Sequence, residues 1–156
     1  MKINKGFTLI ELLVVIAIIA ILYAIVTFGI TEYINRGKDA TIKSNLSILI
    51  PAGEVYYNHN GVDGYKGFCH ITTVQEAFYQ IPISGGITSC FADWDDGSGR
   101  TDWGICCQVS STPYIKWAAC AKLFSTTNKA FCVDSTGVKR EISADNCGYM
   151  TECPIN

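Results

Sequence analysis

The hydrophobic and polar positions divide the chain into a long apolar run near its N-terminus and a mixed remainder. Residues 7–30 are almost wholly apolar, and a helix of about 20 such residues crosses the hydrocarbon core of a membrane. A cleavable secretory signal has a shorter apolar stretch of about 7–15 residues. Lys2 and Lys5 precede the run, and positive charge favours the cytoplasmic side. The pattern therefore predicts one membrane-spanning helix with the remainder of the chain outside the cytoplasm.

A single carboxylate, that of Glu11, interrupts this run one helical turn after Phe7. Carboxylates inside a membrane are costly, rare and usually functional. The plainer interpretation is a glutamate that reaches the interface near the end of the helix. Gly6, a small residue that could admit a peptidase, lies directly between the charged leader and Phe7. Together these positions indicate more than a membrane tether.

Apolar residues continue beyond the membrane run at spacings of three and four, which is the pattern of one helix face. The stripe consists of Ile42, Leu46, Leu49, Gly53 and Tyr56. We therefore expect one long helix from Phe7 to Asn58, covered along this stripe by a globular head. A short second helix is predicted after it, because Thr73 and Glu76 have capping-box spacing.

The last third of the chain alternates short apolar runs with turn-forming residues. Segment 84–102 is polar and rich in glycine, and is expected to lack regular structure. Strand-like runs follow at residues 103–109, 114–123, 129–134 and 138–142, and the turns between them lie at 110–113, 125–128 and 134–137. This order predicts an antiparallel meander.

Composition and charge place limits on the function. The chain has 156 residues and a formal net charge of −2, which suits one compact domain with an N-terminal extension. The basic residues are scattered along the sequence, so no electrostatic footprint for a nucleic acid is visible.

The chain contains eight cysteines, all beyond the apolar run: Cys69, Cys90, Cys106, Cys107, Cys120, Cys132, Cys147 and Cys153. This density indicates disulfides formed in an oxidising compartment. A zinc site is the alternative, but the sequence has no CxxC pair and its two histidines are His59 and His70. Eight cysteines allow 105 pairings. The adjacent Cys106 and Cys107 should point to opposite faces of a strand.

The stretch "KGFTLIELLVVIAIIAIL" closely resembles the signal and N-terminal helix of type IV pilins and pseudopilins. The resemblance covers about the first 30 residues. It implies that a prepilin peptidase cuts between Gly6 and Phe7, that Phe7 is then N-methylated, and that Glu11 assists assembly. It also implies the pilin fold, an α+β lollipop with one long helix packed on a small antiparallel sheet.

Physical reasoning gives the implied role of Glu11 a mechanism. The cut would create a cationic α-amino group on Phe7. In a bundle of helices, the Glu11 carboxylate of one subunit could pair with the Phe7 amine of its neighbour. Because an unpaired charge is penalised in a medium of low dielectric constant, this pair would favour one register of stacking.

The resemblance also suggests how the chain is organised. Residues 1–6 would be the leader, 7–30 the membrane and assembly half of the helix, 31–58 its amphipathic half, and 59–156 the disulfide-rich head. Within the head, we expect Cys120 to pair with Cys132 across a hairpin. A pair of Cys147 with Cys153 would be similar to the C-terminal disulfide loop of Gram-negative pilins.

The head offers one candidate for metal binding and none for catalysis. Asp93, Asp95, Asp96 and Asp102 share one loop and could ligate calcium through oxygen atoms. The resemblance to major pseudopilins, which bind calcium in a head loop, favours this interpretation; a solvated acidic turn is the alternative. No catalytic motif is visible, so we expect a structural subunit with no other cofactor.

The expected function is that of a type IV pilus subunit that polymerises with copies of itself or with other pilins. Its expected partners are the prepilin peptidase and the inner-membrane assembly machinery. As a precursor it would be a single-pass protein of the inner membrane with its head outside, and after assembly part of a surface filament. The alternatives are a pseudopilin of a type II secretion system and, in another class, an anchored extracytoplasmic binding module that does not need Glu11.

Overall fold

The computed structural model describes residues 7–82, 89–92, 104–148 and 150–155. Its chain forms two compact units, Met1–Asn35 and Arg36–Asn156. A single helix, α1, covers Leu9–Asn60 and continues through Pro51. The predicted long helix is therefore confirmed, although it begins and ends two residues later than expected.

The predicted stripe on α1 forms part of the core of the second unit. Ile42, Leu46 and Leu49 are fully buried and belong to one hydrophobic cluster with residues of the sheet. Gly53, one position of the same stripe, lies directly against the indole ring of Trp117. The 3.6-residue period of the apolar positions thus identified the face of α1 on which the head packs.

Within the described residues, the head contains a five-stranded sheet whose strands lie in sequence order. The strands are β1 (Ser89–Ala92), β2 (Ile105–Val109), β3 (Trp117–Lys122), β4 (Lys129–Asp134) and β5 (Lys139–Ser143). Strand β2 pairs antiparallel with β3, β3 with β4 and β4 with β5, which confirms the predicted meander.

Strand β1 corrects the sequence interpretation. It lies within segment 84–102, for which no regular structure was expected, and it pairs parallel with β2. A strand of four residues is held mainly by backbone hydrogen bonds to its neighbour. Composition and periodicity therefore do not predict such a strand when the residues around it are polar and rich in glycine.

The short helix α2 covers Thr72–Tyr79 and buries Val74, Ala77 and Phe78. The helix was predicted correctly, but its cap was not. The N-cap residue is Ile71, and no side-chain cap bond is made. Thr73 lies inside the helix, so the capping box expected from Thr73 and Glu76 is wrong.

The two faces of the sheet have different coverings. Alternate residues of the strands, including Cys107, Trp117 and Val133, pack with α1. The opposite face of the sheet presents mostly small residues. We call it the tail-facing side, because Cys147 and Cys153 of the C-terminal segment, or tail, belong to its cluster. Cys106 and Cys107 fall in different clusters, which confirms that neighbouring strand residues point to opposite faces.

Three disulfides are described: Cys69–Cys107, Cys120–Cys147 and Cys132–Cys153. Cys106 is also disulfide-bonded. The expected pairs Cys120–Cys132 and Cys147–Cys153 are therefore wrong.

The error has a geometric reason. Cys120 and Cys132 are register partners on β3 and β4, so their proximity was inferred correctly. Both side chains, however, point to the tail-facing side, where the C-terminal segment brings one cysteine to each of them. Each of the two disulfides therefore joins the C-terminal segment to a strand, and neither one links two cysteines of that segment.

Two buried carboxylates complete the head. Asp134 accepts hydrogen bonds from the backbone N–H of Thr136 (2.9 Å) and of Cys153 (2.9 Å). It thereby joins the β4–β5 turn to the C-terminal segment. Asp39 of α1 accepts from the N–H of Phe124 (2.6 Å) and of Ser125 (3.1 Å), and so attaches the helix to the segment between β3 and β4.

Candidate assembly and processing site

The predicted site residues Phe7 and Glu11 lie at the beginning of α1. Phe7 and Thr8 precede the helix, which starts at Leu9, and the side chain of Phe7 is 76% exposed. The backbone N–H of Leu12 donates to the carbonyl of Thr8 (3.3 Å), so Thr8 is the N-cap residue. Phe7, the residue after the expected cleavage point, is therefore outside the helical backbone.

Thr8 and Glu11 form a reciprocal capping box. The N–H of Glu11 donates to Thr8 Oγ1 (3.3 Å). In return, Glu11 Oε2 accepts the backbone N–H of Thr8 (2.8 Å) and its hydroxyl (2.8 Å). Such a box satisfies two N–H groups that a helix otherwise leaves without a partner.

The sequence interpretation missed this contact. Thr8 and Glu11 have the same threonine-x-x-glutamate spacing that was applied, wrongly, to Thr73 and Glu76. The spacing was a usable signal at the start of the apolar run.

The two oxygens of the Glu11 carboxylate have different surroundings. Both hydrogen bonds from Thr8 go to Oε2. Within the residues that the structure describes, Oε1 accepts none. The capped conformation therefore fixes the carboxylate while leaving one oxygen able to accept a hydrogen bond from a cation, such as an ammonium group.

The first unit presents an extensive apolar surface. The side chains of residues 7–27 are all exposed, and most of them are aliphatic. By its length and composition, helix α1 is long and apolar enough to cross a membrane. Monomeric soluble proteins rarely expose contiguous apolar patches larger than a few hundred Å², so this surface requires lipid or other protein around it.

Several predicted residues lie outside the described part of the chain. Gly6 is one of them, and the cut between Gly6 and Phe7 stays a prediction. The calcium candidates Asp93, Asp95, Asp96 and Asp102 all lie outside it as well. Calcium binding is therefore also still a prediction.

An ion-pair network links α1 to the sheet of the head. Lys43 Nζ lies 2.8 Å from Glu141 Oε1, and Lys129 Nζ lies 3.4 Å from Glu141 Oε2. The hydrogen bond from Lys43 is the main reason that the pKa of Glu141 is lowered, and Lys129 adds to the effect. These groups are structural, because they join secondary-structure elements of the same subunit.

Comparison with known proteins finds a family model that matches the N-terminal segment of the chain. Residues 1–27 match the family model described as the prokaryotic N-terminal methylation motif. The matched segment includes Gly6, Phe7, Thr8 and Glu11. No solved structure matches the chain.

Three relatives were identified by sequence. The prepilin peptidase-dependent protein D of Escherichia coli is 32% identical over 142 residues, covering 78% of this chain and 94% of the relative. The type IV major pilin protein PilA of Myxococcus xanthus is 39% identical, covering 43% of this chain and 30% of the relative. The type IV wide pilus major component PilA4 of Thermus thermophilus is 42% identical, covering 38% of this chain and 46% of the relative.

The chain belongs to the type IV pilin and pseudopilin family. The first relative establishes this over most of its length, and the methylation motif accounts for the segment around Glu11. The long N-terminal helix and the antiparallel sheet with its disulfides are the α+β fold expected of that family.

Proposed function

We propose that this protein is the structural subunit of a type IV pilus. Its precursor is cut between Gly6 and Phe7 by a prepilin peptidase and methylated on the new amine. It is then polymerised by inner-membrane machinery into a helical filament on the cell surface. Before assembly, α1 crosses the inner membrane with the head outside the cytoplasm.

The exposed apolar surface of residues 7–27 carries the proposal. A single chain in water cannot leave so many aliphatic side chains exposed. A bilayer covers them before assembly, and the same helices of other subunits cover them afterwards. Self-association is therefore the activity that the first unit supports, and two of the relatives are named as major components of type IV pili.

Glu11 gives the assembly its register. The oxygen Oε1 is available to the Phe7 amine of a neighbouring subunit, and that amine exists only after the leader is removed. An ammonium and a carboxylate attract each other strongly where water is excluded. A precursor lacks this amine, so the pairing also distinguishes cut from uncut subunits.

The main rival is a pseudopilin of a type II secretion system. It would share the leader, the cut and the fold. The disulfides that attach the C-terminal segment to the sheet favour the pilus, because covalent cross-links protect a head that is exposed outside the cell. The location of the assembled protein separates the two functions.

Mass spectrometry of filaments sheared from the cell surface tests the proposal. We expect the protein in this fraction, beginning at Phe7 and carrying one N-methyl group. A protein found in membranes but absent from surface filaments would indicate the pseudopilin or an anchored binding module. Replacing Gly6 by Leu should leave the leader in place, and a mature mass for this variant would contradict the cleavage site.

A further inference from the structure

We infer that Thr8 is a positioning residue for assembly, which acts by holding the carboxylate of Glu11. The inference rests on the proposed function and deepens it, because it names the group that orients the charged side chain. It is drawn from the hydrogen bonds within the capping box at the start of α1.

The capping box restricts the Glu11 side chain. A free glutamate has three side-chain torsions and loses up to about 2 kcal/mol of rotamer entropy when it is fixed. Here both donors of Thr8 bind the same oxygen, Oε2. The carboxylate is therefore already ordered before a neighbour arrives, and its ordering does not weaken the contact with that neighbour.

The capping box leaves one carboxylate oxygen of Glu11 for the neighbouring subunit. Because Oε2 is occupied, an incoming ammonium group meets Oε1. One orientation of approach is favoured as a result. The cap uses only atoms of residues 8–12, so it is retained when residues 1–6 are removed.

The chemistry of the side chain at position 8 decides whether Glu11 is held. A hydroxyl is required because Thr8 Oγ1 both donates to Glu11 Oε2 and accepts from the N–H of Glu11. Serine retains both bonds. Valine has nearly the same shape as threonine but forms neither. The pair Thr8→Ser and Thr8→Val therefore separates the hydrogen bonds from the shape of the side chain.

The position of residue 11 offers a second matched variant. Glutamine is accepted at the third position of a capping box. Glu11→Gln thus preserves the bond to the N–H of Thr8 and removes the negative charge. It separates the cap from the charge pair, whereas Glu11→Ala would remove both.

The test measures incorporation into filaments. Each variant is co-expressed with the unmodified protein, and the ratio of the two in sheared filaments and in membranes is determined by peptide mass spectrometry. We expect Thr8→Ser to be incorporated like the unmodified protein. Thr8→Val should be incorporated about fivefold less, the effect expected for loss of one helix cap, while its leader is removed normally.

The double variant Thr8→Val/Glu11→Gln distinguishes positioning from a general structural role. If Thr8 acts through the charge of Glu11, the double variant should be incorporated no less than Glu11→Gln alone. A further fivefold loss would overturn the inference, as would normal incorporation of Thr8→Val, equal losses for Thr8→Val and Thr8→Ser, or retention of the leader in Thr8→Val.

The result also separates this inference from the proposed function. If the unmodified protein is absent from surface filaments, the pilus function is wrong. If it is present and Thr8→Val is incorporated normally, only the role of Thr8 is wrong. Normal incorporation of Glu11→Gln would refute the charge pair and, with it, the positioning role.

Discussion

Replacing Gly53 by alanine should destabilise the head, although alanine is the better helix former. A Cβ atom on Gly53 would lie 2.7 Å from Trp117 Nε1 and 3.0 Å from Cε2 and Cζ2, whereas ordinary van der Waals contact begins at 3.4 Å. Trp117 is fully buried, and the ring of Phe68 packs on it with a centroid distance of 4.8 Å. The indole therefore has little room to move away.

The magnitude follows from two opposing effects. Overpacking of a close-packed core costs about 1–3 kcal/mol, and alanine gains about 1 kcal/mol over glycine in a helix interior. Gly37 of the same helix is the matched control, because a Cβ atom there meets nothing within 4 Å. Since the helix-propensity gain is common to both variants, their difference isolates the packing cost of about 1–3 kcal/mol.

The assay is guanidinium unfolding of the mature protein in detergent micelles, followed by near-ultraviolet circular dichroism of the buried aromatic rings. We expect Gly37→Ala to be slightly more stable than the unmodified protein and Gly53→Ala to be less stable. Equal stabilities for the two variants would refute the close contact between α1 and Trp117, and with it the described packing of the head on the helix.

Three further predictions test other contacts of the head. Cys132→Ser/Cys153→Ser should lower the free energy of unfolding by about 3 kcal/mol, as expected for a disulfide that closes a loop of this length; an unchanged unfolding midpoint would show that the tail is held without it. Asp39→Ala should cost about 1–3 kcal/mol because two backbone N–H groups lose their acceptor, and Asp39→Asn, which retains an acceptor, should cost less; equal losses would argue against these bonds. The pKa of Glu141 is lowered in the folded state from 4.5, so its contribution to stability is present above about pH 4.5 and is lost as the pH falls through the folded-state pKa. Over that acidic range, Glu141→Gln should lose less stability than the unmodified protein, and the difference should be under about 1 kcal/mol because the pair is partly exposed. An identical pH profile for the two proteins would contradict the ion pair.

The sequence predicted the long helix and the meander because their signals are local. The spacing of Ile42, Leu46 and Leu49 specifies a helix face whatever packs on it. The four strand-like runs are separated by turn residues, and short connections between strands favour antiparallel neighbours. The candidate site was likewise visible, since Gly6, Phe7 and Glu11 lie close together at the start of a strongly apolar run.

Other features depended on contacts between distant residues. Strand β1 is defined by its backbone pairing with β2, which the composition of segment 84–102 does not record. Helix α2 begins at Thr72 after the N-cap Ile71, although the capping motif at Thr73 would place its start two residues later. The same motif is formed at Thr8 and Glu11, where the apolar run leaves few other polar groups nearby.

The sequence by itself determined that this chain has a membrane-length helix with one carboxylate, an antiparallel sheet and a set of cysteines suited to disulfides. Only the tertiary structure decided which cysteines pair. Cys120 and Cys132 are neighbours across two strands, yet each is bonded to the C-terminal segment above it. A disulfide requires two side chains on the same side at the right separation, and the path of the chain over the sheet decides which side chains meet that requirement.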